Sequence, residues 1–134
     1  MIIVATIKNS LQQNDIVVET DGNKKAITIP AKPPGQGSSV NGAELFFLSL
    51  ATCFCNDIYR EAGRRNIIIK SVAVTVFGEF GKEGEPASAI SYKTDIQADA
   101  SSNEISALMD HVDKIAEIHN RLRKGMNVNF LADA

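Results

Sequence analysis

The chain has 134 residues and a formal net charge of −2, a size that suits one domain. Its pI near 5.6 argues against nucleic acid as a partner, because phosphate backbones are bound through dense positive charge. Two cysteines and the lack of an export signal predict free thiols and a cytoplasmic protein. We expect a single domain over residues 1–134 with no cofactor, and no metal, because zinc-type spacing of cysteine and histidine is missing.

Three short runs rich in β-branched residues come first, at residues 2–7, 16–20 and 25–29. They predict an antiparallel meander, with Asp21, Gly22 and Asn23 as the turn before the third strand. Residues 30–39 follow and contain Pro33 and Pro34. Because proline disrupts both helices and central strands, this segment predicts an ordered loop or a mobile lid.

The most apolar stretch, residues 41–65, predicts a helix that begins near Gly42, with Asn41 and Glu44 as its capping box. From residue 43 to residue 58 apolar side chains occur at every helical angle, so we expect this helix to be buried on all sides. The apolar part is shorter than the roughly 20 residues that span a bilayer. We therefore expect no membrane association.

Residues 67–80 and 87–100 predict the two long strands of a β-hairpin. The second strand alternates, with Ile90, Tyr92, Thr94, Ile96 and Ala98 on one face and Ser91, Lys93, Asp95, Gln97 and Asp99 on the other. Such alternation is typical of a sheet with one face in water.

Ser101 and Glu104 predict a second capping box, which opens an amphipathic helix. Its apolar stripe consists of Ile105, Leu108, Met109, Val112, Ile115 and Ala116. A helical or irregular turn at residues 120–125 and a final strand at residues 126–131 complete the predicted order. The fold class is therefore α+β with antiparallel sheet, and we expect a second subunit to cover the apolar helix in a homodimer.

Two segments resemble the OsmC/Ohr family, the osmotically inducible protein C and organic hydroperoxide resistance proteins. Residues 42–54, Gly-Ala-Glu-Leu-Phe-Phe-Leu-Ser-Leu-Ala-Thr-Cys-Phe, are similar to the family helix Glu-Leu-Leu-x-x-Ala-Leu-x-x-Cys. Residues 120–128, Asn-Arg-Leu-Arg-Lys-Gly-Met-Asn-Val, continue the likeness. The resemblance implies an intertwined homodimer with antiparallel sheets wrapped around two central helices. It also implies thiol-dependent reduction of hydroperoxides.

The resemblance assigns the peroxide-attacking thiol to Cys53. It assigns the second, resolving cysteine to Ala116, so that thiol is missing here. Family members also hold the thiolate with an arginine from an early loop and a glutamate in the first long helix. In this chain no arginine precedes Arg60, and the carboxylate position falls on Ala43, one residue before Glu44. Glu44 is either the catalytic carboxylate or the capping residue, and capping explains it fully.

The two cysteines have different expected roles. Residues two apart on a helix point in nearly opposite directions, so Cys53 and Cys55 cannot form a disulfide without unwinding. Cys55 is expected to pack in the core. Cys53 is either a buried structural thiol or the reactive one, since its distance from the helix N-terminus removes the help of the helix dipole.

Three further side chains are candidates for a place near the site. Arg60 shares the helical face of Cys53 but is expected at the surface. His119 is either a base or counter-cation facing Cys53 or a side chain that serves the last carbonyls of its helix. His111 is expected on the surface.

Two functions follow from these residues. The first is reduction of small or organic hydroperoxides by Cys53, with an external thiol or dithiol reductant in place of the missing cysteine. The second is a non-catalytic protein of the same fold that binds a small hydrophobic ligand near Cys53 or acts as a redox sensor. Cys53 favours the first function, whereas Ala116 and the absent early arginine favour the second.

Overall fold

The computed structural model describes residues 1–131. The chain separates into two compact units, Met1–Leu45 and the remainder from Phe46 onward. The expected single domain over residues 1–134 stays a prediction, and its last three residues lie outside the described part.

The first unit contains the predicted meander. Strands β1 (Ile3–Ser10), β2 (Gln13–Thr20) and β3 (Asn23–Ala26) pair antiparallel in the order β1-β2-β3. The turn between β2 and β3 uses Asp21 and Gly22, both with positive φ, the conformation that suits a tight hairpin. The third strand ends before Ile27, so its predicted extension to residue 29 is wrong.

The proline-containing segment is an ordered loop held against its own unit. The side-chain amide of Asn14 donates to the carbonyl oxygens of Ile29 and Gly37, each at 3.2 Å. The amide of Ser39 closes the loop by donating to the carbonyl of Pro30 at 2.9 Å. Of the two alternatives for this segment, these hydrogen bonds favour the ordered loop.

Helix α1 (Gly42–Arg64) begins where its capping box predicts. The amide of Glu44 donates to Asn41 Oδ1 at 2.8 Å, and the amide of Asn41 donates to Glu44 Oε1 at 3.0 Å. The expectation of burial on all sides fails within this chain. One face is buried, whereas Leu48 in the apolar part of the helix is 58% exposed.

The predicted β-hairpin consists of β4 (Ile69–Phe80) and β5 (Ala87–Ala98). The predicted alternation in β5 is confirmed at Tyr92, Thr94, Ile96 and Ala98, which are half-buried while the residues between them are exposed. The hairpin therefore offers one apolar face to the helices of its unit.

The second capping box is also confirmed, because Ser101 and Glu104 satisfy each other's backbone amides at the start of α2 (Ser102–Ile115). The helix ends one residue earlier than its apolar stripe suggests. Ala116 has an extended backbone, and a separate helix α3 (Glu117–Lys124) starts after it. The predicted turn at residues 120–125 is thus mostly the end of this helix.

The core of the second unit forms where α1 and α2 face each other. Both helices contribute residues at a spacing of four, which lie along one helical face. The fully buried set is Phe54, Ile58, Ala62, Leu108, Val112 and Ala116, with Ile69, Val72, Val74, Tyr92, Ile96 and Met109 packed against it.

The predicted final strand at residues 126–131 is wrong, because this segment has no regular structure. Its side chains alternate as in a strand, but Val128 and Phe130 are 90% and 92% exposed. A strand requires a hydrogen-bonded neighbour, and the described chain provides none for this segment. Among residues 1–131 no helix is long and apolar enough to cross a membrane.

Candidate functional site

Cys53 lies in the middle of α1 and is a free, half-buried thiol. Its neighbour Phe54 points into the core and is 1% exposed. The helix therefore turns Cys53 toward the margin of the buried face. A thiol in this position is neither fully sealed nor freely exposed.

The surroundings of Cys53 favour the protonated thiol. Burial raises the pKa of Cys53, and the carboxylates of Asp57 and Glu117 raise that pKa further. Asp57 is one helical turn after Cys53, and Glu117 is the first residue of α3. Because the thiolate is the nucleophilic form, this environment slows reaction at neutral pH.

Asp57 is itself a buried carboxylate, 5% exposed. Burial raises the pKa of Asp57, although its ion pair with Arg60 opposes that rise. The Arg60 guanidinium lies 2.9 Å from Asp57 Oδ1 and 3.1 Å from Glu61 Oε1. Arg60 is thus engaged by two carboxylates one and two turns from Cys53, so it is not a cation held at the sulfur.

Glu61 lies at the polar end of the same helical face of α1 and is 3% exposed. Arg64 donates to its Oε1 at 2.7 Å, and Nε2 of His111 lies 3.1 Å from its Oε2. His111 is partly exposed, as expected. Its contact with Glu61 also joins α2 to α1. The hydrogen bonds from Arg60 and His111 lower the pKa of Glu61.

Ala116, the position that the resemblance assigns to a second thiol, is 1% exposed in the core. The next residue, Glu117, is close enough to influence the pKa of Cys53. The start of α3 therefore lies within electrostatic range of Cys53. Sequence reasoning missed Glu117, because only the tertiary fold brings the two residues into that range.

His119 is buried between aromatic rings, at 5% exposure. Its ring centroid lies 4.8 Å from that of Tyr92 and 5.4 Å from that of Phe54. Neither ring nitrogen has a hydrogen-bond partner in the described part of the chain, so His119 does not serve helix carbonyls. No hydrogen bond within residues 1–131 joins it to Cys53.

Burial lowers the pKa of His119, and the nearby positive charge of Arg123 lowers it further. The imidazole is therefore neutral at physiological pH. A buried polar group left without a partner costs about 1–3 kcal/mol. His119 thus holds unused hydrogen-bonding capacity inside the second unit.

Next to His119 is a cleft of about 280 Å³, here named the His119 cleft. Its lining is mostly apolar and consists of Leu50, Ala87, Ala89, Ile90, Tyr92, His119, Leu122 and Arg123. Leu50 is less than one turn before Cys53 on α1. Cys53 itself is not among the lining residues, so the apolar crevice expected near Cys53 stays a prediction.

The polar side chains at the edge of the cleft are hydrogen-bonded to one another. The Tyr92 hydroxyl donates to Asp113 Oδ1, and Arg123 donates to the same oxygen at 2.7 Å. Burial, followed by the Asp113 carboxylate, raises the pKa of Tyr92 to about 12. Arg123 is thus neutralised by Asp113.

Cys55 is half-buried, so its expected place in the core is only partly realised. It lines a shallow depression with Leu48, Ala51, Thr52, Asn56 and Val74, away from the His119 cleft.

Glu44 acts as the capping residue of α1. Among the described residues no group of three or more histidine, cysteine or carboxylate side chains could hold a metal ion.

The fold matches several solved structures at low sequence identity. An OsmC-like protein from Mycoplasma pneumoniae is 19% identical with a TM-score of 0.65, covering 90% of this chain and 85% of that chain. An organic hydroperoxide resistance protein OsmC from Legionella pneumophila is 21% identical with a TM-score of 0.54, covering 92% and 90%. The organic hydroperoxide resistance protein OhrB of Bacillus subtilis is 19% identical with a TM-score of 0.55, covering 92% and 91%.

The comparison with curated proteins finds no match. The family model described as OsmC-like protein matches residues 35–130, which is more than half of the chain. That span includes α1 with Cys53, the long hairpin and the two helices around Ala116. The α+β architecture with antiparallel sheets agrees with the structures above. The chain therefore belongs to the OsmC-like protein family.

Proposed function

We propose that this OsmC-like protein has a redox or stress-related role in which Cys53 reduces small or organic hydroperoxides. The observation that carries the proposal is the position of Cys53, a free and half-buried thiol on helix α1, within the span that matches the family model. Similar structures include proteins named for organic hydroperoxide resistance. The proposed setting is a cytoplasmic homodimer.

The chemistry balances with one protein thiol. The Cys53 thiolate attacks the distal peroxide oxygen, the O–O bond breaks, and the released alkoxide takes up a proton to become an alcohol. Cys53 is left as a sulfenic acid. An external thiol then forms a mixed disulfide with it and releases water, and a second thiol restores Cys53 by thiol–disulfide exchange. An external dithiol can act as both thiols, and it then supplies the two electrons of the reduction.

The raised pKa of Cys53 limits this reaction within one subunit. Arg60 forms ion pairs with Asp57 and Glu61. We propose that a cation that stabilises the thiolate comes from the partner subunit of the proposed homodimer. The rate in the isolated subunit should therefore be slow and should rise with pH.

The test mixes reduced protein with cumene hydroperoxide and follows sulfenic acid at Cys53 by dimedone trapping and mass spectrometry. In the proposed homodimer, where a cation of the partner subunit stabilises the thiolate, the expected result is a rate above that of free cysteine at the same pH. Cys53→Ser should abolish trapping, whereas Cys55→Ser, the matched control, should leave it largely unchanged. A rate no faster than that of free cysteine, or loss of trapping only in Cys55→Ser, would reject the proposal.

A second candidate is binding of a small hydrophobic ligand without turnover. Two observations favour it: the raised pKa of Cys53 and the largely apolar His119 cleft. Ligand sites are commonly concave and apolar with a few polar groups. Under this candidate, Cys53 is structural or acts as a redox sensor.

A further inference from the structure

The His119 cleft combines an apolar wall with one unused polar side chain. Leu50, Ala89, Ile90 and Leu122 supply hydrocarbon surface. Its volume of about 280 Å³ far exceeds the roughly 30 Å³ share of one water molecule. The cleft therefore has room for a small organic molecule.

His119 is the side chain in this wall that lacks partners. Its packed neighbours are the rings of Phe54 and Tyr92, and the Tyr92 hydroxyl is already bonded to Asp113. Among residues 1–131 neither imidazole nitrogen has a hydrogen-bond partner, and both nitrogens are closed to solvent. The ring lines the cleft, so a ligand in the cleft reaches a nitrogen after a small rotation of the imidazole.

The charge around the cleft argues against an ionic ligand. Arg123 is its cationic lining residue, but the guanidinium donates to the side chain and the backbone carbonyl of Asp113 at 2.7 and 3.2 Å. A ligand carboxylate would have to compete with Asp113 and lose its own hydration. A neutral ligand avoids both costs.

The imidazole itself defines the matching group. A neutral imidazole has one N–H donor and one acceptor nitrogen. A hydroxyl likewise has one donor and can accept. Burial keeps the pKa of His119 low, which supports the neutral form.

We propose that the His119 cleft binds a small, neutral molecule with an apolar body and a hydroxyl group, and that His119 pairs with this hydroxyl. The inference rests on the second candidate function, ligand binding, and does not require turnover at Cys53. It names the ligand class and the residue that selects it.

The test titrates the ¹⁵N-labelled full chain with benzyl alcohol, toluene and benzoate, and follows the signals of the cleft residues by NMR. Benzyl alcohol should bind saturably and about fivefold more tightly than toluene, the gain expected from one net hydrogen bond. Benzoate should bind more weakly than benzyl alcohol. The imidazole ¹⁵N signals of His119 should shift with benzyl alcohol and not with toluene.

The variant His119→Phe keeps an aromatic ring and removes both nitrogens. It should bind benzyl alcohol and toluene equally, whereas the control His111→Gln should keep the preference for the alcohol. A preference that survives in His119→Phe would overturn the inference. Since that variant could fail to fold, the His119 signals of the unaltered protein are a second test, and unshifted signals at saturating benzyl alcohol would also overturn it.

The outcomes separate this inference from the functions on which it depends. Saturable binding of toluene without preference for the alcohol rejects the hydroxyl pairing and leaves ligand binding standing. No saturable binding of any of the three probes rejects both. The same titrations with Cys53→Ser, which lacks the thiol for peroxide reduction, make the binding result independent of peroxide chemistry.

Discussion

Among single residues, Asp57 and Glu117 matter most for Cys53, because both carboxylates raise the pKa of the thiol. Reactive cysteines usually have cations nearby instead. The nearest well-defined cation on the same helix, Arg60, is paired with Asp57 at 2.9 Å. Burial is the largest cause of the raised pKa, and the acidic surroundings add to it, so both limit how readily Cys53 reacts within one subunit.

Asp57→Asn should lower the pKa of Cys53, since it removes a neighbouring negative charge and releases part of the Arg60 charge. In a Cys55→Ser background, iodoacetamide should alkylate Cys53 severalfold faster at neutral pH. Asp95→Asn, which removes an exposed carboxylate from β5, is the control and should have no effect. An unchanged or slower rate in Asp57→Asn would contradict this electrostatic account.

His119 should make the stability of the protein depend on pH. Its pKa is lowered from 6.5 in the folded state, mainly by burial, so the unfolded chain binds this proton first as the pH falls. Stability is therefore present above about pH 6.5 and is lost as the pH falls through the folded pKa. Urea unfolding between about pH 7 and pH 5 should show this loss.

His119→Phe should flatten that pH dependence, whereas His111→Gln should retain it. Asp57, whose raised pKa gives the opposite slope at lower pH, is present in every variant and cancels in the comparison. Equal slopes in His119→Phe and the unaltered protein would show that His119 is not the group responsible.

At the scale of elements, local hydrogen bonds fix where the helices begin. The capping boxes of α1 and α2 are visible in the sequence and are both formed. Each depends on residues three apart, so no distant contact is needed to predict it. This is why the helix starts were predicted more accurately than the end of the chain.

Ser101→Ala should destabilise the protein by about 1 kcal/mol, because it removes the acceptor for an amide in the first turn of α2. The free energy of unfolding from urea titration is the measurement. Ser102→Ala, an exposed change one residue later, should have little effect. Equal losses in the two variants would mean that the cap does not stabilise α2.

The segment at residues 126–131 shows the limit of local patterns. Its alternation predicts a strand, yet a strand exists only where another edge accepts its hydrogen bonds. No periodicity within six residues can supply that edge. The pattern records which side chains are apolar but not whether a neighbour is present.

At the scale of the whole molecule, apolar side chains remain uncovered in a single chain. On the second unit, Leu48, Phe77, Val128 and Phe130 are at least half exposed. Covering such side chains with a partner removes apolar surface from water, which is favourable. They support the proposed homodimer, which would also give α1 the cover that its sequence requires.

Light scattering at micromolar concentration should give twice the chain mass of 14.5 kDa. Leu48→Asp places a charge on the uncovered face of α1 and should shift the population toward monomer. Lys93→Asp, an exposed change on β5, is the control and should leave the mass unchanged. A monomer for the unaltered protein would reject the homodimer.

The sequence by itself determined the helix starts, the long hairpin with its alternating face and the family helix that carries Cys53. These features depend on hydrogen bonds and periodicities between residues close together in the chain. Only the tertiary structure decided that Glu117 lies near Cys53, that His119 is buried without partners and that α1 is covered on one face. Those outcomes depend on which distant side chains meet and which are kept from water, and no local pattern contains that information.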